Sequence, residues 1–182
     1  KNTNNLNGIA LNYFGNRITY REFFENVDKV AKAFYAIGIR KGDIVTIASL
    51  HTPETIYIIY GLNKIGAVAN MVYLTLSANE IIENIKSTDS KAFIYFAMIQ
   101  EKGRIIEKEF PDIKTIILDV SDSMPWYLKY PYRLKNKKDI LGKTYRFKNF
   151  LSLGEGVVAK EMLYTKSAPA VIVYTSGTTG VP

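Results

Sequence analysis

The last residues of the sequence could hold an anion. An apolar run at residues 170–174 leads into small residues with hydroxyl groups or no side chain, namely Thr175, Ser176, Gly177, Thr178, Thr179 and Gly180. Glycines let the backbone bend and approach a ligand, so that successive amide N–H groups can point toward it. Serine and threonine hydroxyls donate hydrogen bonds to phosphate oxygens. These six residues therefore predict a phosphate-binding loop, and because they are uncharged, any cation must come from elsewhere.

This loop is not a Walker A site, which needs a lysine directly after its second glycine. Gly177 and Gly180 are separated by two residues, and no lysine follows them. Residues 174–182, which read YTSGTTGVP, instead resemble the phosphate-binding signature of the adenylate-forming superfamily, Tyr/Phe-Thr-Ser-Gly-Ser/Thr-Thr-Gly-x-Pro-Lys. The match runs through Pro182.

Earlier segments resemble the same superfamily. Residues 17–23 (RITYREF) are similar to its entry into a first long helix, and residues 38–45 (GIRKGDIV) to its following turn into a strand. Thr52-Pro53-Glu54 and residues 66–68 (GAV) have the superfamily's spacing around a second helix, although His51 stands where members often have asparagine. The resemblance covers essentially the whole chain, but only the first third of a typical member.

The resemblance implies an N-terminal fragment of an acyl-CoA synthetase-like ligase. In that superfamily ATP activates a carboxylate as an acyl-adenylate, and coenzyme A usually takes the acyl group. Residues 175–180 would wrap the triphosphate of ATP, with a threonine hydroxyl near Mg²⁺. The superfamily's mobile C-terminal domain and catalytic lysine are expected outside this sequence, so no catalytic residue is assigned and the fragment alone is expected to be inactive.

Two alternatives to the acyl-CoA synthetase stay open. One is an amino-acid or aryl-acid adenylation domain of the same superfamily. The other is a non-catalytic module that binds a nucleotide or an anionic surface. The sequence does not identify the carboxylate, the acceptor thiol or the oligomeric state.

The amino-acid composition excludes some kinds of site and favours a cellular location. The absence of cysteine excludes disulfides and cysteine-bound metals and, with no apolar leader, favours a cytoplasmic protein. No metal site is predicted, since there is one histidine and no Asp-x-Asp run. His51 is a weak acid–base candidate, because a single histidine without a partner is more often structural.

The net charge of +7 belongs to one segment. Residues 126–150 contain eight basic residues and one acid, a balance of 8 − 1 = +7, so the remainder is neutral. No nucleic-acid partner is expected from such a local charge. The interleaved aromatics could contact an anionic membrane peripherally, whereas a solvated insertion is the commoner explanation.

Strand and helix patterns alternate along the sequence before the loop. This alternation predicts an α/β fold with a mainly parallel sheet flanked by helices. Capping boxes at Thr19 with Glu22 and at Ser77 with Glu80 mark two helix starts, and Thr52 before Pro53 marks a third. We expect residues 1–182 to form the N-terminal portion of the superfamily's large domain. It comprises an α/β core at 1–120, an irregular basic connection at 121–168, and a strand with the phosphate-binding loop at 169–182.

Overall fold

A computed structural model describes residues 5–135, 143–162 and 167–174. Two short strands, β1 (Ile9–Tyr13) and β2 (Asn16–Thr19), form an antiparallel hairpin. The main sheet contains β3 (Ile44–Ala48), β4 (Val68–Met71), β5 (Ala92–Phe96), β6 (Lys114–Leu118), β7 (Tyr145–Arg146) and β8 (Val171–Val173). The helices are α1 (Tyr20–Ala36), α2 (Pro53–Lys64), α3 (Ala78–Thr88), α4 (Gln100–Glu109), α5 (Trp126–Lys135) and α6 (Phe147–Ser152).

The main sheet confirms the predicted fold class. Within the described residues its strand order is β7-β6-β5-β3-β4-β8, and every pair of neighbours is parallel. From β3 the chain proceeds to β4 on one side, then crosses to β5 on the other side of β3. The winding direction of the sheet therefore reverses between β3 and β5. Open parallel sheets commonly bind ligands at such a reversal, beside the carboxyl ends of the strands.

The helix starts follow the predicted capping chemistry. Thr19 and Glu22 satisfy each other's backbone N–H groups at the start of α1, and Ser77 and Glu80 do the same at α3. Thr52 accepts a hydrogen bond from the Thr55 N–H at the start of α2. These short-range bonds remove free backbone donors at the starts of α1, α2 and α3, so the local sequence marks where these three helices begin.

The core lies on both faces of the sheet. On one face, α1 and α2 pack their apolar side chains onto β3, β4, β5 and β6, with fully buried Phe34, Ile58 and Leu62 among them. On the other face, α3 and α4 cover Phe93 and Tyr95 of β5 with Ile81, Ile85 and Ile106. The helices thus cover both faces of the sheet and leave its carboxyl edge accessible to a ligand.

The segment at 121–168 has more regular structure than predicted. Among its described residues it contains α5, β7 and α6. Pro131 lies inside α5. The helix has no buried residue, so water can satisfy the carbonyl group that proline leaves without a donor. The limits of the three predicted regions remain predictions.

Some element ends differ from the sequence patterns. The apolar run at residues 67–74 extends beyond β4, which ends at Met71. Before α4 the chain forms a 3₁₀ turn, Ala97–Ile99.

Within the described residues no helix is both long enough and apolar enough to cross a bilayer.

Candidate functional site

The carboxyl edge of the sheet is where the chain brings its candidate ligand-binding groups. Because all strands of the main sheet are parallel, the residues that follow β3, β4, β5, β6 and β8 emerge on this one edge. Tyr174 directly follows β8 and is the last described residue. The predicted site residues Thr175, Ser176, Gly177, Thr178, Thr179 and Gly180 lie outside the described residues.

Tyr174 is held by hydrogen bonds from two directions. Its hydroxyl donates to Asn84 Oδ1 of α3 over 2.8 Å, and its carbonyl oxygen accepts from the Tyr73 hydroxyl over 3.2 Å. The ring also packs against the apolar cluster under α3 and α4. The position from which the predicted phosphate-binding residues begin is therefore fixed by both side-chain and backbone contacts.

A buried polar chain extends this anchor into the sheet. Asn70, fully buried on β4, donates from Nδ2 to Asn84 Oδ1 over 3.0 Å and to Thr46 Oγ1 of β3 over 2.9 Å. Thr46 Oγ1 lies 2.7 Å from the Ser90 hydroxyl. A buried amide is costly without partners, so this chain fixes one arrangement of β3, β4 and α3. The contacts of Asn70 are not predicted from the sequence, although a lone asparagine in the apolar run at 67–72 is a signal of a buried polar group.

A second feature of this region is a polar cavity of about 1010 Å³, whose lining includes Ala97 after β5 and Ile117 of β6. Its walls come from the first hairpin, the outer face of α1, the turns after β5 and β6, and helices α5 and α6. Glu54 in the first turn of α2, Gln100 at the start of α4 and Asp119 directly after β6 also line it. The cavity therefore reaches the carboxyl ends of β5 and β6, and a concave site of this kind can hold a small molecule.

Glu54 is an unusual member of the cavity lining, because its side chain is only 2% exposed. Its Oε1 accepts a hydrogen bond from the Ser123 hydroxyl. Its Oε2 has no hydrogen-bond partner among the described residues. Burial raises the pKa of Glu54, and the nearby Asp122 raises it further. A carboxyl group in this setting favours its neutral, protonated form.

The pKa values of Asp122 and Tyr13, which lie near Glu54, are also raised by burial. Burial raises the pKa of Asp122, with Asp119 adding to the effect, while its backbone hydrogen bond opposes it. Burial and the carboxylates of Glu54, Asp119 and Asp122 raise the pKa of Tyr13 to about 12. Burial is thus the main cause that disfavours the charged form of both Glu54 and Asp122, and a neighbouring acid adds to the effect in each case.

Replacing Glu54 by glutamine should weaken the dependence of stability on pH. Because the folded state raises the pKa of Glu54 above its ordinary 4.5, its contribution is fully present below that pH and is lost as pH rises through the folded value. Glu54→Gln keeps an oxygen acceptor for Ser123 but cannot ionise. We expect unfolding by urea to show a smaller loss of stability from pH 4.5 into the neutral range.

The matched control is Glu155→Gln, since Glu155 is exposed. It should retain the pH dependence of the parent protein. An unchanged pH dependence in Glu54→Gln would show that Glu54 titrates normally. Asp122 has a raised pKa as well, so some pH dependence of the same sign should remain in the variant.

The other ionisable candidates do not gather into a second site. His51 is exposed between β3 and α2, and Glu22 and Glu80 are occupied at their helix caps. In the part of the chain that the structure describes, no group of three or more histidine, cysteine, aspartate or glutamate side chains is placed to hold a metal. A metal at this edge would therefore need ligands from a substrate or from other residues.

A parallel sheet whose last strand leads into a glycine- and threonine-rich sequence at its carboxyl edge is typical of nucleotide-binding α/β domains. The sequence profile of the AMP-binding enzyme family matches residues 2–182. The chain belongs to this family.

Relatives of known activity are synthetases of coenzyme A thioesters. Acetyl-coenzyme A synthetase 1 of Saccharomyces cerevisiae is 26% identical over an alignment of 178 positions, which covers 92% of this chain and 23% of the relative. A 3-hydroxypropionyl-coenzyme A synthetase of Sulfurisphaera tokodaii is 29% identical over 166 residues, 91% of this chain and 25% of the relative. The chain therefore spans about a quarter of the length of these relatives.

Solved structures show the same fold. The anthranilate CoA ligase AuaEII, in complex with anthranoyl-AMP, has a TM-score of 0.74 at 18% identity over 96% of this chain and 30% of its own. The adenylation domain of a carboxylate reductase of Mycobacterium chelonae has a TM-score of 0.70 at 19% identity, covering 90% of this chain and 26% of its own. The fold is thus that of the N-terminal part of adenylate-forming enzymes.

Proposed function

We propose that the chain is part of a longer acyl-CoA synthetase, called the whole enzyme below. The whole enzyme activates a carboxylate with ATP and transfers the acyl group to coenzyme A. A carboxylate oxygen attacks the α-phosphorus of ATP, pyrophosphate leaves, and the thiol then displaces AMP from the acyl-adenylate. The observation that carries the proposal is the sequence YTSGTTGVP, which begins at the anchored Tyr174. The coenzyme A synthetases among the relatives support it.

The chemical difficulty of this reaction explains what residues 175–180 would contribute. A carboxylate and a triphosphate are both anionic, so an enzyme must hold them together against repulsion and stabilise the leaving pyrophosphate. Uncharged hydroxyl and backbone donors can hold phosphate oxygens without a counter-charge. We propose that Thr175, Ser176, Gly177, Thr178, Thr179 and Gly180 hold the triphosphate, with Mg²⁺ accompanying ATP.

The substrate class is a proposal of its own. Two of the relatives are named for acetyl and 3-hydroxypropionyl thioesters, so short carboxylates are the first candidates, and fatty acids extend the series. An aryl or amino acid is the alternative, since one structural neighbour is an anthranilate ligase. A cytoplasmic location and a contact of residues 126–150 with an anionic membrane are separate proposals, because neither follows from the ligase activity.

The test is the ATP–pyrophosphate exchange of the whole enzyme with a panel of carboxylates from acetate to long-chain fatty acids, with anthranilate and amino acids beside them. We expect exchange with at least one acid, and release of AMP only when coenzyme A is added. The 182-residue chain alone should show no exchange, because no residue in it is assigned the role of the superfamily's catalytic lysine. Binding of ATP by the whole enzyme without exchange for any acid would instead favour the non-catalytic module.

A further inference from the structure

Strand β8 is short, so hydrogen bonds from outside the sheet hold both of its ends. Among the described residues its three residues, Val171–Val173, pair only with β4. At the entry of β8 the Ala170 carbonyl oxygen accepts from Asn63 Nδ2 of α2 over 3.0 Å. At the exit, Tyr174 lies beyond the last residue of the ladder. The side-chain contacts of Tyr174 therefore determine where the chain leaves the sheet.

Asn84 of α3 joins Tyr174 to the buried polar chain. Its Oδ1 accepts from the Tyr174 hydroxyl over 2.8 Å and from Asn70 Nδ2 over 3.0 Å. An amide oxygen has two lone pairs and only accepts, so these two donors fill it. The fully buried Asn70 also donates to Thr46 Oγ1 over 2.9 Å. Asn84 therefore cannot shift away from Tyr174 without leaving a buried donor unpaired, which is costly.

Helix α3 gives Asn84 a fixed position. The capping box of Ser77 and Glu80 defines its start. Ile81 and Ile85, three residues before and one residue after Asn84, are buried against the sheet. A side chain on a packed helix holds its partner more precisely than one on a loop. Asn84 is thus suited to set the position of Tyr174.

We propose that Asn84 is a positioning residue for ATP, acting through the Tyr174 hydroxyl on the phosphate-binding residues that follow. The inference rests on the proposed function, which assigns the triphosphate of ATP to residues 175–180. In this role Asn84 needs no contact with ATP. It fixes the point from which residues 175–180 begin, and a small error at that point is carried to the donors after it, where geometry governs the rate.

The experiment compares Tyr174→Phe and Asn84→Leu in the whole enzyme with a carboxylate that the parent enzyme accepts. The first removes the donor and the second the acceptor of the same hydrogen bond. Since one such bond is worth a factor of about two to ten, we expect each variant to lower kcat/KM for ATP by about threefold to tenfold. The kcat/KM for coenzyme A should not change, because it reports on the later thiol step.

The double variant tests whether the two residues act as a pair. If Asn84 acts through the hydroxyl, adding Asn84→Leu to Tyr174→Phe should lower kcat/KM for ATP by less than about twofold further. Asn84→Leu also deprives Asn70 of an acceptor, so it should unfold at a lower temperature than Tyr174→Phe. Tyr174→Phe keeps the bond between Asn70 and Asn84. It therefore tests the proposal even if Asn84→Leu fails to fold.

Two controls separate positioning from a general loss of stability. Ser87→Ala removes an exposed hydroxyl that donates to the Asn84 carbonyl oxygen over 3.1 Å within α3, and it should behave as the parent does. Asn63→Leu is matched to Asn84→Leu, because it removes an amide that holds the other end of β8. It should lower the unfolding temperature and leave kcat/KM for ATP unchanged.

Each contrary outcome has its own meaning. An active parent enzyme with an unchanged kcat/KM for ATP in Tyr174→Phe would overturn this inference and leave the proposed function standing. An equal loss in Asn63→Leu, or additive losses in the double variant, would also overturn it. If the parent binds ATP without exchange, the dissociation constant for ATP replaces kcat/KM, with the same expected ratios. A parent that does not bind ATP would overturn both proposals.

Discussion

Gly177→Val in the whole enzyme should slow formation of the acyl-adenylate by about a hundredfold or more. Valine is β-branched, so it resists the backbone conformations open to glycine and keeps a phosphate at a distance. Thr178→Ala and Thr179→Ala should be milder. Each removes one hydroxyl donor to a charged oxygen, which is worth about 1.5–3 kcal/mol, and the expected slowing is about tenfold to a hundredfold.

The measurement is the single-turnover rate of acyl-adenylate formation, beside the thermal unfolding of each variant. Ser152→Ala is the matched control, because it removes an exposed hydroxyl whose hydrogen bond stays within its own helix, to the Asn149 carbonyl. It should leave the adenylation rate unchanged. Normal rates in both threonine variants and in Gly177→Val would remove these residues from the ATP site and leave the proposed function without its main support.

Much of the fold could be predicted because its signals are local. The capping residues of α1, α2 and α3 act within one helical turn, so Thr19, Thr52 and Ser77 locate three helix starts. The alternation of apolar strands with helices predicts a parallel sheet. The order of the strands, with β8 beside β4, depends on contacts between distant parts of the chain and is not contained in any such pattern.

The candidate site could be predicted only in part, for the same reason. The glycine and threonine spacing at 175–180 is a local signal, but the anchor of Tyr174 joins it to Asn84, 90 residues earlier. Glu54 and Ser123, which share a hydrogen bond at the cavity, are 69 residues apart. A single sequence shows which polar residues occur in apolar runs, but it does not show which of them meet.

The segment at 121–168 shows how a weak pattern can conceal a packed element. Phe150 of α6 is fully buried and meets Phe34 of α1 edge to face, with ring centroids 4.8 Å apart. Such aromatic pairs add to the stability gained from burial. Phe147 and Leu151 of α6 line the polar cavity, so the contact with α1 also fixes one wall of the candidate site.

Gly154 allows the turn after α6 to pack closely on α1. Its replacement by alanine should destabilise the protein by about 1–3 kcal/mol or more. A methyl group at Gly154 would lie 2.6 Å from the Ala33 nitrogen and 2.9 Å from the Lys32 carbonyl carbon. Both atoms belong to the backbone of α1, which cannot rotate away as a flexible side chain could. The turn after α6 must therefore move outward and carry the Phe150 ring away from Phe34.

Thermal unfolding of Gly154→Ala should show this as a fall in Tm of about 2–4 °C for each kcal/mol lost. Glu155→Ala is the control, because Glu155 is exposed and an exposed side chain usually contributes less than about 0.5 kcal/mol. Equal unfolding temperatures for the two variants would mean that α6 does not pack on α1 as closely as the structure shows. The cavity wall built by Phe147 and Leu151 would then lose its support.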